Sequence, residues 1–157
     1  MTAERIWKVY LSGEVHSNWR DKLRAGAQRA QLPVSFTAPV TDHAASDHCG
    51  VAILGDEPNP FWKDRKGAQL NAIRTRTLIR DVDIVVVRFG DKYRQWNAAF
   101  DAGFAAAAGK PLITLHPPEL GHALKEVDGA ALAVAETTDQ VLQILKYAIS
   151  GELPQRV

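Results

Sequence analysis

"DIVVVRFG" spans Asp83 to Gly90, and its nearly unbroken Val and Ile decide the fold. A strand with one wet face alternates apolar and polar residues, whereas a run apolar on both faces belongs inside a parallel sheet. The residues that follow, from about Arg94 to Ala108, read as a helix closed by Gly109 and Pro111, with "LITLH" after it as the next strand. Upstream, Asn59 caps a helix that has Pro60 at its tolerated first position and runs to about Arg80. "IWKVYLS" (Ile6 to Ser12) is a β-branched and aromatic strand ending at Gly13. Ser17 or Asn18 then caps a helix reaching about Gln31, and "VSFTAP" follows Pro33 as a second strand. The stretch "VTDHAASDHCGVAILGDEPNP", with Gly50, Gly55 and its prolines, reads as a long loop of the kind that is often functional. A helix near Glu119 to Val127, the strand "ALAVAE" and an amphipathic helix from Thr138 to Ile149 complete the chain, the last with Leu142, Leu145 and Ile149 on one face.

Five alternations of strand and helix predict one α/β domain over residues 1–157: a three-layer, flavodoxin- or Rossmann-like sandwich around a five-stranded parallel sheet. Right-handed crossovers point to the order 2-1-3-4-5. Ligands bind such sheets beyond the carboxyl ends of the strands, at the switch between strands 1 and 3. The loops "SGEVHSN" and "FGDKYRQWN" are therefore the places to look, together with the long loop after strand 2.

Composition narrows the partners. With 157 residues, 46% apolar and 24% charged, the chain can bury a substantial core. A net charge of +1 and the lack of a basic stripe argue against a nucleic-acid polymer. No apolar run approaches the roughly 18 residues of a membrane span. "MTAERIWKVY" does not have the charge pattern of a signal peptide, and the single Cys49 suits a reducing compartment, so a cytoplasmic protein is expected.

Within "QWNAAFDAGFAAAAGKP" the only charge between Arg94 and Lys110 is Asp101. Asn97 lies one turn before it on the same helical face, with Phe104 and Ala108 beside them; the small residues Ala98, Ala99, Ala102, Gly103 and Ala106 face the other way. A partly buried carboxylate in the first half of a helix has either a catalytic or ligand-binding role, or a structural partner such as Asn97, an arginine or backbone amides.

"YLSGE", "DIVVVRFG" and "NAAFDAGFAAAAGKPLI" together resemble the nucleoside 2-deoxyribosyltransferase superfamily, and "FW", "FGDKY" and "QWNAAFDAG" resemble its YtoQ branch, over nearly the whole chain. The resemblance implies chemistry at the N-glycosidic bond of a nucleoside or nucleotide, with no cofactor. The family's nucleophilic acid, normally glutamate, falls on Asp101 in "DAG". Tyr10 and Ser12 fall at the end of strand 1, and Asp91 and Asn97 are candidates for polar support of the nucleophile. The resemblance also implies a homodimer or higher homo-oligomer. Two departures stand out. Aspartate is one methylene shorter than glutamate, moving the reacting oxygen back by roughly 1–1.5 Å. The family's other acid has no clear counterpart, because Arg74, Thr75 and Arg76 occupy that region and favour a phosphate or carboxylate on the ligand.

Other groupings carry alternative readings. Gly13, Glu14, His16 and Ser17 line the entrance to the first helix, where a sugar or phosphate binds or where they simply cap. Asp42, His43, Asp47, His48 and Cys49 crowd one segment without a standard zinc spacing; no metal is assigned, and His43 is a candidate ligand contact or proton donor to a leaving base. Phe61, Trp62, Tyr93 and Trp96 either stack on a base or anchor the core. The alternative function is a binding module that holds a nucleotide-derived ligand without turning it over.

Overall fold

A computed structural model describes residues 5–90, 92 and 95–154. The chain forms β1 (Trp7–Gly13), α1 (Trp19–Arg29), β2 (Val34–Thr37), α2 (His43–Leu54), α3 (Pro60–Asp81), β3 (Ile84–Arg88), α4 (Trp96–Ala107), β4 (Leu112–Leu115), α5 (Lys125–Ala130), β5 (Ala133–Ala135) and α6 (Thr138–Ser150). The five strands are all parallel, in the order β2-β1-β3-β4-β5. This is the order expected from the alternation, and it puts the topological switch between β1 and β3.

The two faces of the sheet build separate cores. Val9, Leu11, Val86, Ile113 and Leu115 pack with Trp19 and Leu23 of α1 and with Val141 and Leu145 of α6. On the other face Tyr10, Val85, Val87 and Leu112 meet Ile79 of α3 and Ala98, Ala102 and Ala105 of α4. Successive strand residues point to opposite faces, so an unbroken apolar run serves both layers at once. That is why β3 has no polar alternation: Ile84, Val85, Val86 and Val87 are all buried. The alanines of α4 let that helix approach the sheet closely.

The segment after β2 corrects the loop expected there, because residues 43–54 form helix α2. Its start is capped by the Asp42 carboxylate, which accepts from the Ala45 N–H at 2.9 Å, and it ends at Gly55 with φ +91°. Gly50 reads as a helix breaker in sequence but is a packing residue. A Cβ there would stand 2.4 Å from the backbone nitrogen of Gly67, so glycine is what lets α2 lie against α3. Two smaller differences accompany it. A 3₁₀ turn at Pro118–Leu120 and helix α5 at Lys125–Ala130 replace a single helix near 119–127. Asn18 occupies the cap position of α1 without a side-chain cap bond, and the Ser17 hydroxyl instead donates to Glu14. Among the described residues no helix is long and apolar enough to cross a membrane.

Candidate functional site

Strand alternation carries the side chains of Tyr10 and Ser12 to the same face of β1, beneath α3 and α4. Asp101, on the sixth residue of α4, is half-buried above them and accepts a hydrogen bond from the Ser12 hydroxyl at 2.5 Å. Burial raises the Asp101 carboxyl above its ordinary pKa, and the Ser12 bond draws it partway back by favouring the ionised form. No arginine pairs with Asp101 among the described residues, so a buried salt bridge is not what holds this carboxylate.

Ser12→Ala removes the donor from a fully enclosed position and is expected to raise the Asp101 pKa further. NMR titration of the carboxyl carbon reads this directly: the midpoint moves to higher pH in the variant, and an unmoved midpoint would mean the bond does not tune the acid.

Tyr10 is fully buried, and its phenol donates toward the Thr75 hydroxyl of α3 at 3.5 Å. Burial pushes the phenol up to about 12, so it stays protonated as a hydrogen-bond donor. Tyr10 thus braces α3 against β1 rather than lining an open surface.

The turn after β1 is built with unusual rigidity. Gly13, at φ +103°, passes so close to β3 that a Cβ would meet the Arg88 carbonyl oxygen at 2.0 Å. Glu14 N–H donates to that same oxygen at 3.0 Å. From below, buried Arg20 donates to the carbonyls of Leu11 (3.0 Å), Gly13 (3.1 Å) and Glu14 (2.6 Å), and the Trp19 indole donates to Glu14 O at 2.8 Å. Desolvation draws the Arg20 guanidinium down to about 10, where it is still charged at neutral pH. Trp19 and Arg20 have no assigned role in the sequence reading. An arginine beside a tryptophan directly after a capping segment was the available signal, and it looks like any first helical turn.

Glu14 is buried and committed to its own loop. Its carboxylate accepts from the His16 N–H and from the Ser17 hydroxyl at 2.5 Å, and the Arg88 Nε lies 3.3 Å away. That arginine nitrogen is aligned for charge attraction, not for a formed hydrogen bond. Burial acts to raise the Glu14 pKa, but the hydrogen bonds and the Arg88 charge outweigh it and hold the acid below its ordinary value. His16 itself is exposed at the rim.

The remaining expected site residues fall in several places. Asn97 is exposed in the first turn of α4 and makes no hydrogen bond to Asp101. Asp91 and Tyr93 lie outside the described residues. His43 sits on the exposed side of α2, paired with Asp47 one turn on at 2.9 Å. Trp62, half exposed, packs edge-on to Phe61 near the start of α3, about 20 Å along the helix axis from Thr75. The structure therefore brings together Tyr10, Ser12, Gly13, Glu14 and Asp101, and leaves Trp62 and His43 apart from them. Among the described residues no cluster of three or more His, Cys, Asp or Glu side chains has the arrangement of a metal site.

A further polar group escapes sequence reasoning. His116, buried at the carboxyl end of β4, places Nε2 2.9 Å from Asp128 Oδ2 of α5, and Thr114 donates to Asp128 at 2.8 Å. It fastens α5 to the sheet. Two open grooves, of about 440 Å³ between α1 and α6 and about 750 Å³ beside the α2–α3 turn, contain no part of the Ser12–Asp101 pair. Shape alone would select those grooves; the half-buried carboxylate lies instead at the strand switch.

Comparison with known proteins agrees with this placement of the fold. A family profile described as nucleoside 2-deoxyribosyltransferase YtoQ matches residues 10–149. The uncharacterized protein YtoQ of Bacillus subtilis (strain 168) is 42% identical over 144 residues, covering 92% of this chain and 97% of that one. Among solved structures, a conserved protein from Enterococcus faecalis V583 superposes with a TM-score of 0.64 at 14% identity, over 92% of this chain and 99% of that chain. A 2-deoxyribosyltransferase from Bacillus psychrosaccharolyticus superposes with a TM-score of 0.50 at 17% identity, over 86% and 90%. At those identities the two structures speak to the fold.

Proposed function

Because the chain belongs to the nucleoside 2-deoxyribosyltransferase YtoQ family, we propose that it cleaves or exchanges the N-glycosidic bond of a nucleoside or nucleotide, with Asp101 as nucleophile. The observation that carries this reading is the Ser12–Asp101 bond: a half-buried carboxylate, held by a hydroxyl and by no cation among the described residues, at the β1/β3 switch where ligands of this fold bind. The carboxylate oxygen attacks C1′ as the bond to the base breaks. The base nitrogen leaves with the electron pair and takes up a proton from solvent or a nearby acid. Water or a second base then attacks C1′ and returns the carboxylate. Ser12 orients the attacking group, and the pinned Gly13–Glu14 turn supplies the wall on the sugar side.

The test is turnover of a panel of nucleosides, 2′-deoxynucleosides and 5′-monophosphates, with and without acceptor bases, followed by chromatography of the released base. Release by wild type supports the reading; exchange in the presence of acceptor separates transfer from hydrolysis. One observation favours the second reading, a binding module: the shorter Asp101 side chain has no second acid facing it from α3, where Arg74, Thr75 and Arg76 stand. That reading expects ligand-induced thermal stabilisation with no base released.

A homodimer is part of the same proposal. Phe61, Trp62 and Ile73 of α3 and Trp96 and Phe100 of α4 are each at least half exposed, an unusual density of large apolar side chains on one side of a domain. Sedimentation equilibrium at micromolar concentration is expected to give a mass twice the 17.2 kDa chain or a higher multiple. A monomer would remove association from the account.

A further inference from the structure

Three of the exposed arginines of α3 lie in its second half, and they do different things. The Arg76 guanidinium lies over the Phe100 ring at 5.8 Å and that of Arg80 over Phe104 at 5.4 Å, so both clamp α3 to α4. Arg74 instead reaches across the carboxyl end of β2, where Nη2 donates to the Ala38 carbonyl at 3.2 Å. Among the described residues that is its single hydrogen bond, and the rest of its planar donor fork is unengaged. Such a fork matches the oxygens of a phosphate or carboxylate.

The surroundings of Arg74 suit a ligand end. Thr37 pairs in register with Tyr10, so both side chains point to the same face of the sheet as the Ser12–Asp101 pair. The Thr37 hydroxyl oxygen is shielded and has no hydrogen-bond partner among the described residues, one position before the Ala38 carbonyl that Arg74 engages. The Asp101 and Arg74 charges both act on the Tyr10 phenol, the first raising and the second lowering its pKa. Asp101 meets β1 through Ser12 and Arg74 meets the end of β2 through Ala38, so the acid and the cation sit over adjacent strands. The competing place for an anion, the start of α1, is occupied by the Glu14 carboxylate, which is held ionised and repels it.

We propose that Arg74 is a specificity-determining residue, binding an anionic group, a phosphate monoester or a carboxylate, carried on the 5′ side of a deoxynucleoside whose C1′ faces Asp101. The orientation of the ligand rests on the function proposed above; the anion subsite does not.

The experiment uses three probes sharing one base: a 2′-deoxynucleoside, its 5′-monophosphate and its 5′-carboxylate. Binding is measured by calorimetry and base release by chromatography, for wild type, Arg74→Gln, Arg74→Lys and, as a charge-matched control, Arg80→Gln. Wild type is expected to bind at least one charged probe ten-fold or more tighter than the neutral one. Arg74→Gln is expected to erase that preference with the melting temperature retained, Arg74→Lys to restore part of it, and Arg80→Gln to keep it. Whichever charged probe binds tighter identifies phosphate or carboxylate as the group recognised. Equal binding of all three probes, no binding of either charged probe, or an equal loss in Arg80→Gln overturns the proposal. An anion preference that vanishes in Arg74→Gln without any base release would leave the subsite standing and overturn the glycosyl chemistry. Release from the neutral probe with no anion preference would do the reverse.

Discussion

Asp101→Asn is expected to abolish base release, by a factor of about 10³ or more, while the protein stays folded and melts no lower than wild type at neutral pH. The amide oxygen can still accept from Ser12, so the hydrogen bond and the packing of α4 persist. What disappears is the nucleophile, and with it a covalent route whose loss removes several kcal/mol of transition-state stabilisation. Stability moves the other way because the native carboxyl is raised above its ordinary pKa, chiefly by desolvation. A raised pKa means the fold disfavours the ionised form. That cost is present in wild type above the folded-state pKa and absent below the unfolded-state value. The melting advantage of Asp101→Asn is therefore largest at neutral pH and shrinks as pH falls through the folded-state pKa. With Asp101 as nucleophile, base release by wild type is expected to need the ionised acid, so its acid limb is expected to shift upward from the ordinary aspartate value. Calorimetric melting across pH, paired with the turnover assay, checks both halves. A variant that loses activity only because it unfolds would show a lower melting temperature at every pH.

Gly13→Ala is expected to be the most damaging small substitution in the described chain, destabilising by roughly 3 kcal/mol or more. Two independent costs add. The residue has φ +103°, a region L-residues rarely occupy, and the new methyl would stand 2.0 Å from the Arg88 carbonyl oxygen and 2.8 Å from its nitrogen. Both obstacles are backbone inside a parallel pair, so neither can swing aside. Relief requires β1 and β3 to part at their carboxyl ends, which also displaces Ser12 from Asp101. For a domain of this size the melting temperature should fall by about 10 °C. Gly103→Ala is the matching control, since a Cβ on that residue of α4 meets nothing within 4 Å and helix propensity favours alanine by about 1 kcal/mol. Differential scanning calorimetry of the pair should separate them in opposite directions; a mild effect at Gly13 would mean the turn is not held as described.

Much of the architecture was legible because it depends on runs of residue type. The Val- and Ile-rich β3 could only be an interior strand, and from it the alternation and the order 2-1-3-4-5 followed. Asp101 stood out because a lone charge among alanines and aromatics has no surface explanation. Helix α2 was not legible, since its Asp, Ser and Gly are turn residues by propensity. The reason for Gly50 lies in the backbone of Gly67, on the next helix and invisible to local reading. Arg20 and the His116–Asp128 pair were missed for the same cause: their partners are carbonyls and a carboxylate brought near by the fold. Asn97 shares a helical face with Asp101 but not its burial: it is exposed one turn earlier, where Ser12 and β1 no longer cover that face.

The most direct measurement of the central claim is to trap the glycosyl group on the protein. A deoxynucleoside bearing fluorine at C2′ slows departure of the sugar from the nucleophile, so the intermediate accumulates. Wild type incubated with it should gain the mass of one fluorinated sugar. Peptide mapping should put that mass on Asp101, and Asp101→Asn should gain nothing. A sugar adduct on another residue, or base released by wild type with no adduct at any time, would contradict Asp101 as the nucleophile.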